Sequence, residues 1–265
     1  LSIPPGERIQ AYIPKLPFSR DKDYRKKIEM MTKLSENPDI LEDMRPGRHT
    51  LLDGSVVNIA YINKGAIGAV YRVEFNGIAF ALKKQSYDTA DTNREILGLM
   101  QGAGHPSILS SYGSIVVNQG GARTAFTSME LIVGDLHSLT GLRTDINKIR
   151  TTLREIAKGL SFMHSHGVIH QDLKAANLGI GLDGRGRVID FGRSRNYIER
   201  QQTPSLGTYN SASDLNKPQA SISEGDFTKI DSFSFGMTML ELRLGASYAQ
   251  FQTCCRGTRA DTSPF

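Results

Sequence analysis

A short stretch in the second half of the chain combines the residue types that phosphate chemistry requires. Asp172 and Lys174 are followed by Asn177, and Asp190 comes after two apolar, strand-like runs. An aspartate can orient an acceptor hydroxyl and accept its proton. An asparagine and a second aspartate offer the hard oxygen ligands that suit magnesium. Phosphoryl transfer asks a protein mainly to position such groups around ATP, so these residue types favour that chemistry.

The spacing of these residues is more specific than their types. His170 opens the pattern H-x-D-x-K-x-x-N, and a D-F-G triplet begins at Asp190, thirteen positions after Asn177. A D-F-G triplet alone is weak, because three common residues meet by chance. The whole arrangement resembles the signature set of the protein kinases. The alternative without chemistry is a helix end followed by a hairpin and a glycine turn, and the motifs upstream argue against it.

This resemblance implies a role for each polar residue of the stretch. Asp172 would orient the substrate hydroxyl, and Lys174 would neutralise the migrating phosphoryl group. A lysine at that position is typical of serine/threonine kinases. Asn177 and Asp190 would bind magnesium. No proton transfer is assigned to His170, which is a packed structural residue in this family.

A glycine-containing hairpin lies upstream, between two strand-like runs. Gly65 and Gly68 resemble the second and third glycines of the kinase nucleotide loop, with Asn63 in place of the first. Glycines at a hairpin tip let backbone amides approach phosphates without a Cβ clash. The resemblance implies that Ile62 and Val70 contact the nucleotide, Val70 over the adenine.

The strand after this hairpin ends in two lysines, of which one can face a nucleotide. The run ending at Lys83 resembles the V-A-I-K strand of kinases. Side chains alternate across a strand, so Lys83, and not Lys84, shares the face of Ala81. Glu95 lies on a helix predicted over 91–101. The resemblance implies that Lys83 contacts the α and β phosphates, that Ala81 lines the cofactor site, and that Glu95 pairs with Lys83.

A buried-type strand is predicted over 125–133, and by resemblance it is the hinge between two lobes. Met129 would sit behind the adenine. Glu130 and Ile132 would offer a backbone acceptor and a backbone donor to the cofactor, so their side-chain types should carry no chemical information.

Helical periodicity and turn residues set the remaining elements. A proline-rich arm is predicted over 1–18 and a helix over 19–37. We favour packing of this extension on the following domain over a role in regulation or partner docking. The clearest helix is predicted over 144–166, with Gly167 as its C-terminal cap. A further helix is predicted to open at Asp231, which in kinases holds the catalytic-loop backbone, although an ordinary N-cap would look the same.

Three features depart from the family pattern. Gln171 stands where kinases usually have arginine, and an amide cannot make that residue's charge-assisted contact with a phosphate. Activity independent of activation-loop phosphorylation is therefore predicted. The polar segment 192–229 resembles an activation segment, but 212–214 replaces its A-P-E triplet. Only 34 residues follow Asp231, so the helical lobe is either naturally reduced, as in some bacterial effector kinases, or cut short.

Composition excludes several other classes of protein. The 265 residues are 39% hydrophobic and 22% charged, which is ordinary for a globular chain. The net charge of +5 is spread, and the basic run 25–27 is too short to argue for nucleic acid. Cys254 and Cys255 are adjacent, which argues against both a disulfide framework and a metal site. No run approaches the ~18 apolar residues of a membrane helix.

These observations predict an α+β, two-lobed protein-kinase-like fold, with a small β-rich lobe carrying one main helix and a shortened, mostly helical lobe. The predicted boundaries are an extension over 1–50, the first lobe over 51–133 and the second over 134–265. The expected activity is transfer of the γ-phosphoryl group of ATP, with magnesium, to Ser or Thr of a protein. A small-molecule kinase and a catalytically weak scaffold remain open alternatives.

Overall fold

The computed structural model describes residues 8–12, 22–64, 68–87, 90–101, 104–141, 145–196 and 224–245. Several sequence predictions concern residues outside these ranges: Gly65 at the hairpin tip, most of the polar segment with its 212–214 triplet, and the two cysteines.

Seven strands in the first half of the chain form one antiparallel sheet. They are β1 (Ile9–Tyr12), β2 (Gly47–Thr50), β3 (Val56–Lys64), β4 (Gly68–Phe75), β5 (Ile78–Ser86), β6 (Ser111–Gln119) and β7 (Ala122–Met129). Their order in space is β1-β6-β7-β5-β4-β3-β2. Strand β5, which carries the two lysines, is therefore central, and both of its faces can be covered.

Helices cover both faces of this sheet. They are α1 (Tyr24–Ser35), α2 (Pro38–Asp43) and α3 (Ala90–Gln101). Ile115 and Phe126 pack with the buried side chains of α1, whereas Val116 and Ala125 pack with Ile96 of α3. Neighbouring residues of a strand point to opposite faces, so α1 and α3 lie on opposite sides of the sheet. The one main helix predicted for the first lobe is α3.

The turn between β4 and β5 follows the chemistry of its residues. Asn76 and Gly77 both have positive φ, at 49° and 76°. Two positive φ values in a two-residue hairpin are the mark of a type I′ turn, which matches the right-handed twist of the strands. This turn fixes the β4–β5 register that aligns Val70 with Lys83.

The segment before residue 51 contributes two strands to the seven-stranded sheet and a helix that packs on it. Strand β1 pairs with β6, strand β2 pairs with β3, and α1 packs against β6 and β5. The predicted helix over 19–37 is present as the shorter α1, and part of the predicted extended arm is strand β1. Its side chains share one core with the sheet, which favours the packing interpretation of this extension. The boundary at residue 50 stays a prediction.

The second half of the chain supplies short strands and two long helices. They are β8 (Ile132–Asp135), α4 (Ile146–Ser165), β9 (Val168–Ile169), β10 (Leu178–Gly181), β11 (Gly186–Val188), β12 (Arg195–Asn196) and α5 (Glu224–Leu244). Strands β11, β10 and β8 form one small sheet, and β12 pairs with β9. One apolar core joins α4 to these strands and to Leu99 of α3. The predicted α+β class, with a β-rich part and a shorter helical part, is confirmed.

Three element boundaries differ from the sequence predictions. The strand predicted over 125–133 is broken, because β7 ends at Met129 and β8 begins at Ile132 in another sheet. Helix α4 begins after Asp145, whose carboxylate caps it by accepting from Asn147 N and Lys148 N. Helix α5 begins at Glu224, so Asp231 lies inside the helix and not at its N-cap. Among the described residues, no helix is both long and apolar enough to cross a membrane.

Candidate active site

The loop that follows β9 is held by one buried carboxylate of α5. Asp231 has no exposed surface, and it accepts from the backbone nitrogens of His170 at 2.7 Å and Gln171 at 2.8 Å. His164 Nε2 lies 2.9 Å from the same carboxylate. A carboxylate that accepts several hydrogen bonds in a buried place fixes its donors firmly. The loop is therefore tied to a helix that lies about sixty positions later in the chain.

Gln171 adopts a backbone conformation that few non-glycine residues take. Its φ is 66°, and its side chain is fully buried. Such a conformation persists only where the surrounding structure holds it, and residues of this kind cluster at functional sites. Here the bond from Gln171 N to Asp231 supplies that support. The chain bends at this point, directly before Asp172.

Asp172, Lys174 and Asn177 form one hydrogen-bonded group. Lys174 Nζ donates to Asp172 Oδ2 at 2.8 Å, and Asn177 Nδ2 donates to the same oxygen at 3.0 Å. Asn177 Nδ2 also donates to the backbone oxygen of Asp172 at 2.8 Å. A single 3₁₀ turn over Ala175–Asn177 brings the amide back over the aspartate. The three predicted residues are thus brought together with Asp172 at their centre.

The backbone around Asp190 meets this group from the other side. Ile189 N donates to Asn177 O at 3.0 Å, and His170 Nε2 lies 3.1 Å from Ile189 O. Asp190 has φ 59°, so it lies, like Gln171, in the left-handed region that few non-glycine residues adopt. His170 is fully buried and packs on Phe191, which supports the structural assignment made for it.

Lys83 and Glu95 form a close, nearly buried ion pair. Lys83 Nζ lies 2.6 Å and 2.7 Å from the two carboxylate oxygens of Glu95, and Gln85 Nε2 donates to one of them at 2.8 Å. Burial raises the pKa of Glu95, the positive charge of Lys83 lowers it, and the negative charge of Asp190 raises it. This last effect shows that Asp190 lies within electrostatic range of the pair. Gln85 is a contact that the sequence did not predict.

The strands place the other predicted cofactor residues beside Lys83. Val70 is directly opposite Lys83 in the β4–β5 ladder, and Ala81 is opposite Met129 in the β5–β7 ladder. Directly opposed residues share a face, as do residues two apart along one strand. Val70, Ala81, Lys83 and Met129 therefore share one face of the sheet. Ile62 lies at a register shift of β3 and is about half exposed.

Gly68 has a structural requirement in addition to its predicted place in a nucleotide loop. A Cβ at this position would meet the backbone oxygen of Lys84 on the neighbouring strand. Glycine is therefore needed for β4 and β5 to approach each other. The same residue type would be found here whether or not a phosphate binds, so this glycine alone is weak support for a nucleotide site.

Glu130 corrects one sequence prediction, since its side chain has a defined role. Its Oε1 accepts from Arg187 Nε at 2.9 Å and from Ser110 N at 2.9 Å. Arg187 also donates to Asp183. This network joins the break between β7 and β8 to β11, while Ile132 lies in β8. Arg187 was overlooked in the sequence because it lies within a short strand, and a charged residue in the middle of a buried strand was the available signal.

Asn177 and Asp190 fit a magnesium ion chemically. Asn177 turns its Nδ2 toward Asp172, which leaves the amide oxygen as the ligand atom. No group of three or more His, Cys, Asp and Glu residues that could hold a metal occurs within the described part of the chain. Magnesium suits such a sparse set, because it is usually bound by one or two carboxylates together with water and substrate phosphates.

Comparison with known proteins gives a consistent family assignment. The family model described as "Protein kinase domain" matches residues 57–257. A Dictyostelium discoideum protein described as "Probable serine/threonine-protein kinase" is 31% identical over 196 residues, which are 69% of this chain and 21% of that protein. Mitogen-activated protein kinase 15 of Caenorhabditis elegans is 26% identical over 69% of this chain and 42% of its own length.

A third relative extends the match over more of this chain. Serine/threonine-protein kinase STE20 of Saccharomyces cerevisiae is 27% identical over 236 residues, which are 84% of this chain and 23% of the yeast protein. Across these three relatives the chain spans between about a fifth and two fifths of their length.

Proposed function

This chain belongs to the protein kinase family, and we propose that it transfers the γ-phosphoryl group of ATP, with magnesium, to a serine or threonine hydroxyl of a protein. One observation carries the proposal. The helix that carries Glu95 is bonded through Arg94 Nε to Gly192 O, two positions after Asp190, and Asp190 directly follows the residue bonded to Asn177. Lys83, Asn177 and Asp190 are far apart in the sequence, and their proximity in the fold supports the binding of a single triphosphate by all three.

Asp172 acts on the acceptor hydroxyl in this proposal. Its carboxylate orients the hydroxyl and accepts its proton as the new P–O bond forms, the bond from the γ-phosphorus to ADP breaks and ADP leaves. Lys174 Nζ already lies 2.8 Å from Asp172 Oδ2, so its charge is close to the path of the migrating group. The serine/threonine preference rests on this lysine and on the names of the matching relatives.

Lys83 holds the phosphates that do not migrate. Glu95 keeps the ammonium group in one orientation, because both of its oxygens accept from Lys83 Nζ. Asn177 and Asp190 would hold a magnesium ion, which would neutralise part of the phosphate charge. Val70, Ala81 and Met129 provide the apolar face for the adenine ring, with Ile62 at its rim. The backbone groups of Glu130 and Ile132 hydrogen-bond the adenine, while the Glu130 side chain keeps its bond to Arg187.

We also propose that this activity does not require phosphorylation of the chain itself. Gln171 carries no charge and is fully buried, so it cannot make a charge-assisted bond to a phosphate. The loop around Asp172 is held instead by Asp231. Phosphatase treatment of the purified protein, followed by removal of the phosphatase, is the test. Retained kcat supports the proposal, and loss of activity that returns after incubation with ATP contradicts it.

A labelling experiment tests the main proposal. The protein is incubated with γ-³²P-ATP, magnesium and a mixed protein pool, beside Asp190→Ala and Asp172→Asn variants. Asp53→Asn is the matched control, because this acid pairs with Lys33 at the surface, away from the site. Label on Ser and Thr of pool proteins, lost in both site variants and kept in the control, is the expected result.

The same experiment separates the alternatives. Label on a small metabolite would indicate a small-molecule kinase. No label, together with ATP binding that does not change in Asp190→Ala, would indicate a scaffold protein. Label that persists in Asp190→Ala would refute the site, whatever the substrate.

A further inference from the structure

Helix α3 contacts the segment after Asp190 at successive positions of one face. Arg94 Nε donates to Gly192 O at 3.1 Å. Glu95 is close enough to Asp190 for that charge to raise its pKa. One turn after Arg94, Gly98 lies against Phe191 and Ser194. The helix that carries Glu95 therefore packs directly against the segment that follows Asp190.

The approach at Gly98 is closer than any side chain would permit. A Cβ built there would lie 2.6 Å from Ser194 Oγ and 2.8 Å from Phe191 Cβ. Glycine in a helix interior is less favourable than alanine, because it loses more backbone freedom on folding. At Gly98 the close packing of the two segments accounts for its presence.

The neighbours of Gly98 have little room to retreat. Ser194 is buried, and both its Oγ and its N donate to Phe191 O, at 2.8 Å and 2.9 Å. Phe191 is fully buried and packs on His170 of the catalytic loop. The Phe191–Ser194 turn is held by its own hydrogen bonds and by the packing of Phe191 on His170. A side chain at position 98 must therefore displace α3 and not the turn.

We propose that Gly98 is a positioning residue. Because it lacks a side chain, it sets the distance between α3 and the Phe191–Ser194 turn, and this distance in turn sets the lengths of the two bonds between Glu95 and Lys83. The inference rests on the proposed phosphoryl transfer for its kinetic consequence, but its structural part stands on the packing alone. Glu95 is one turn of a rigid helix away from Gly98, and both of its bonds to Lys83 are short. Outward movement of α3 therefore lengthens these two bonds.

The test compares two glycine-to-alanine substitutions in helices. Gly98→Ala is the probe, and Gly236→Ala in α5 is the matched control, since nothing lies within 4 Å of a Cβ there. The control should raise Tm by about 2 °C through helix propensity. Gly98→Ala should lower Tm, and it should lower kcat/KM for ATP by about 10- to 100-fold, the size expected from a small misplacement of a binding group.

A second substitution gives a rescue. Ser194→Ala removes the atom nearest to the new Cβ, so the Gly98→Ala/Ser194→Ala double variant should recover part of the Tm and kcat/KM that Gly98→Ala loses. The recovery is partial because Phe191 Cβ remains 2.8 Å away. Should Gly98→Ala give no folded protein, the double variant is compared with Ser194→Ala alone, and a higher Tm in the double variant overturns the proposal.

A readout on Lys83 separates this inference from the proposed function. Limited acylation of lysines, followed by peptide mass spectrometry, measures how accessible Lys83 Nζ is. Faster labelling of Lys83 in Gly98→Ala than in Gly236→Ala supports the positioning role even if the wild type transfers no phosphate. Equal Lys83 labelling in the two variants, with Tm raised in both, overturns it even if the wild type is an active kinase.

Discussion

Replacing Asp231 by alanine should weaken both the fold and the catalytic step. The carboxylate accepts from His170 N and Gln171 N inside the protein, and it has no exposed surface. Alanine at this position leaves both donors buried without an acceptor. Gln171, at φ 66°, also loses the bond that supports its strained backbone.

The expected loss of stability follows from the number of unsatisfied groups. A buried backbone donor left without a partner costs about 1–3 kcal/mol, so two of them cost about 2–6 kcal/mol. Asp231→Asn should lose less, because one amide oxygen can still accept from one of the two nitrogens. Thr238→Val in the same helix removes a single buried hydroxyl and serves as the control for changes in α5.

Urea unfolding followed by circular dichroism measures the stability, and steady-state kinetics measures the catalytic effect. The kinetic loss should fall on kcat and leave KM for ATP nearly unchanged, because Asp231 holds the loop of Asp172 and not the strand of Lys83. An Asp231→Ala protein that is as stable as Thr238→Val, or whose KM rises while kcat is retained, would refute this reasoning.

Three further predictions concern charges at other places in the fold. Because burial raises the pKa of Glu95, the folded protein binds more protons between the usual glutamate pKa and the raised one. Wild-type stability should therefore fall as pH rises through this interval, and Glu95→Gln should not show that fall in pH-dependent urea titrations. Arg187→Met leaves the Glu130 carboxylate largely buried without its ion-pair partner, so it should lower the free energy of unfolding by about 3 kcal/mol, and a loss under half of that would contradict a structural role. Burial raises the pKa of Tyr12 from 10.0 to about 12. As pH rises from 10.0 to about 12, the wild type should lose stability relative to Tyr12→Phe, and parallel curves in thermal unfolding would contradict this.

The sequence was sufficient where chemistry and spacing act together. Strand alternation selected Lys83 over Lys84, the resemblance to kinases implied its pairing with Glu95, and the two residues are in contact. Asp231 was expected to hold the catalytic-loop backbone, and it does so. These residues are constrained by reactive geometry, so each leaves a polar signature at a fixed distance from its neighbours.

The sequence was insufficient where a residue acts through tertiary approach. Gly98 looks like an unfavourable helix residue until Phe191 and Ser194 are seen against it. Glu130 and Arg187 lie 57 positions apart, and no motif links their side chains. Strands β1 and β2 join the sheet through pairing that no local pattern specifies. Contacts of this kind depend on which surfaces meet, and residue spacing does not encode that directly.

The two adjacent lysines of β5 show both kinds of contact: one that the motifs predicted and one that only the tertiary structure reveals. Lys83 points to α3 and pairs with Glu95, while Lys84 points to the opposite face, where its Nζ donates to Glu42 O at 2.9 Å. Burial lowers the pKa of Lys84, as expected for an amine enclosed between layers. One strand is thus anchored on both faces, on one side by the helix of the candidate site and on the other by the N-terminal segment. The segment before residue 51 therefore contributes to the position of Lys83, although it carries none of the motifs that predicted the candidate site.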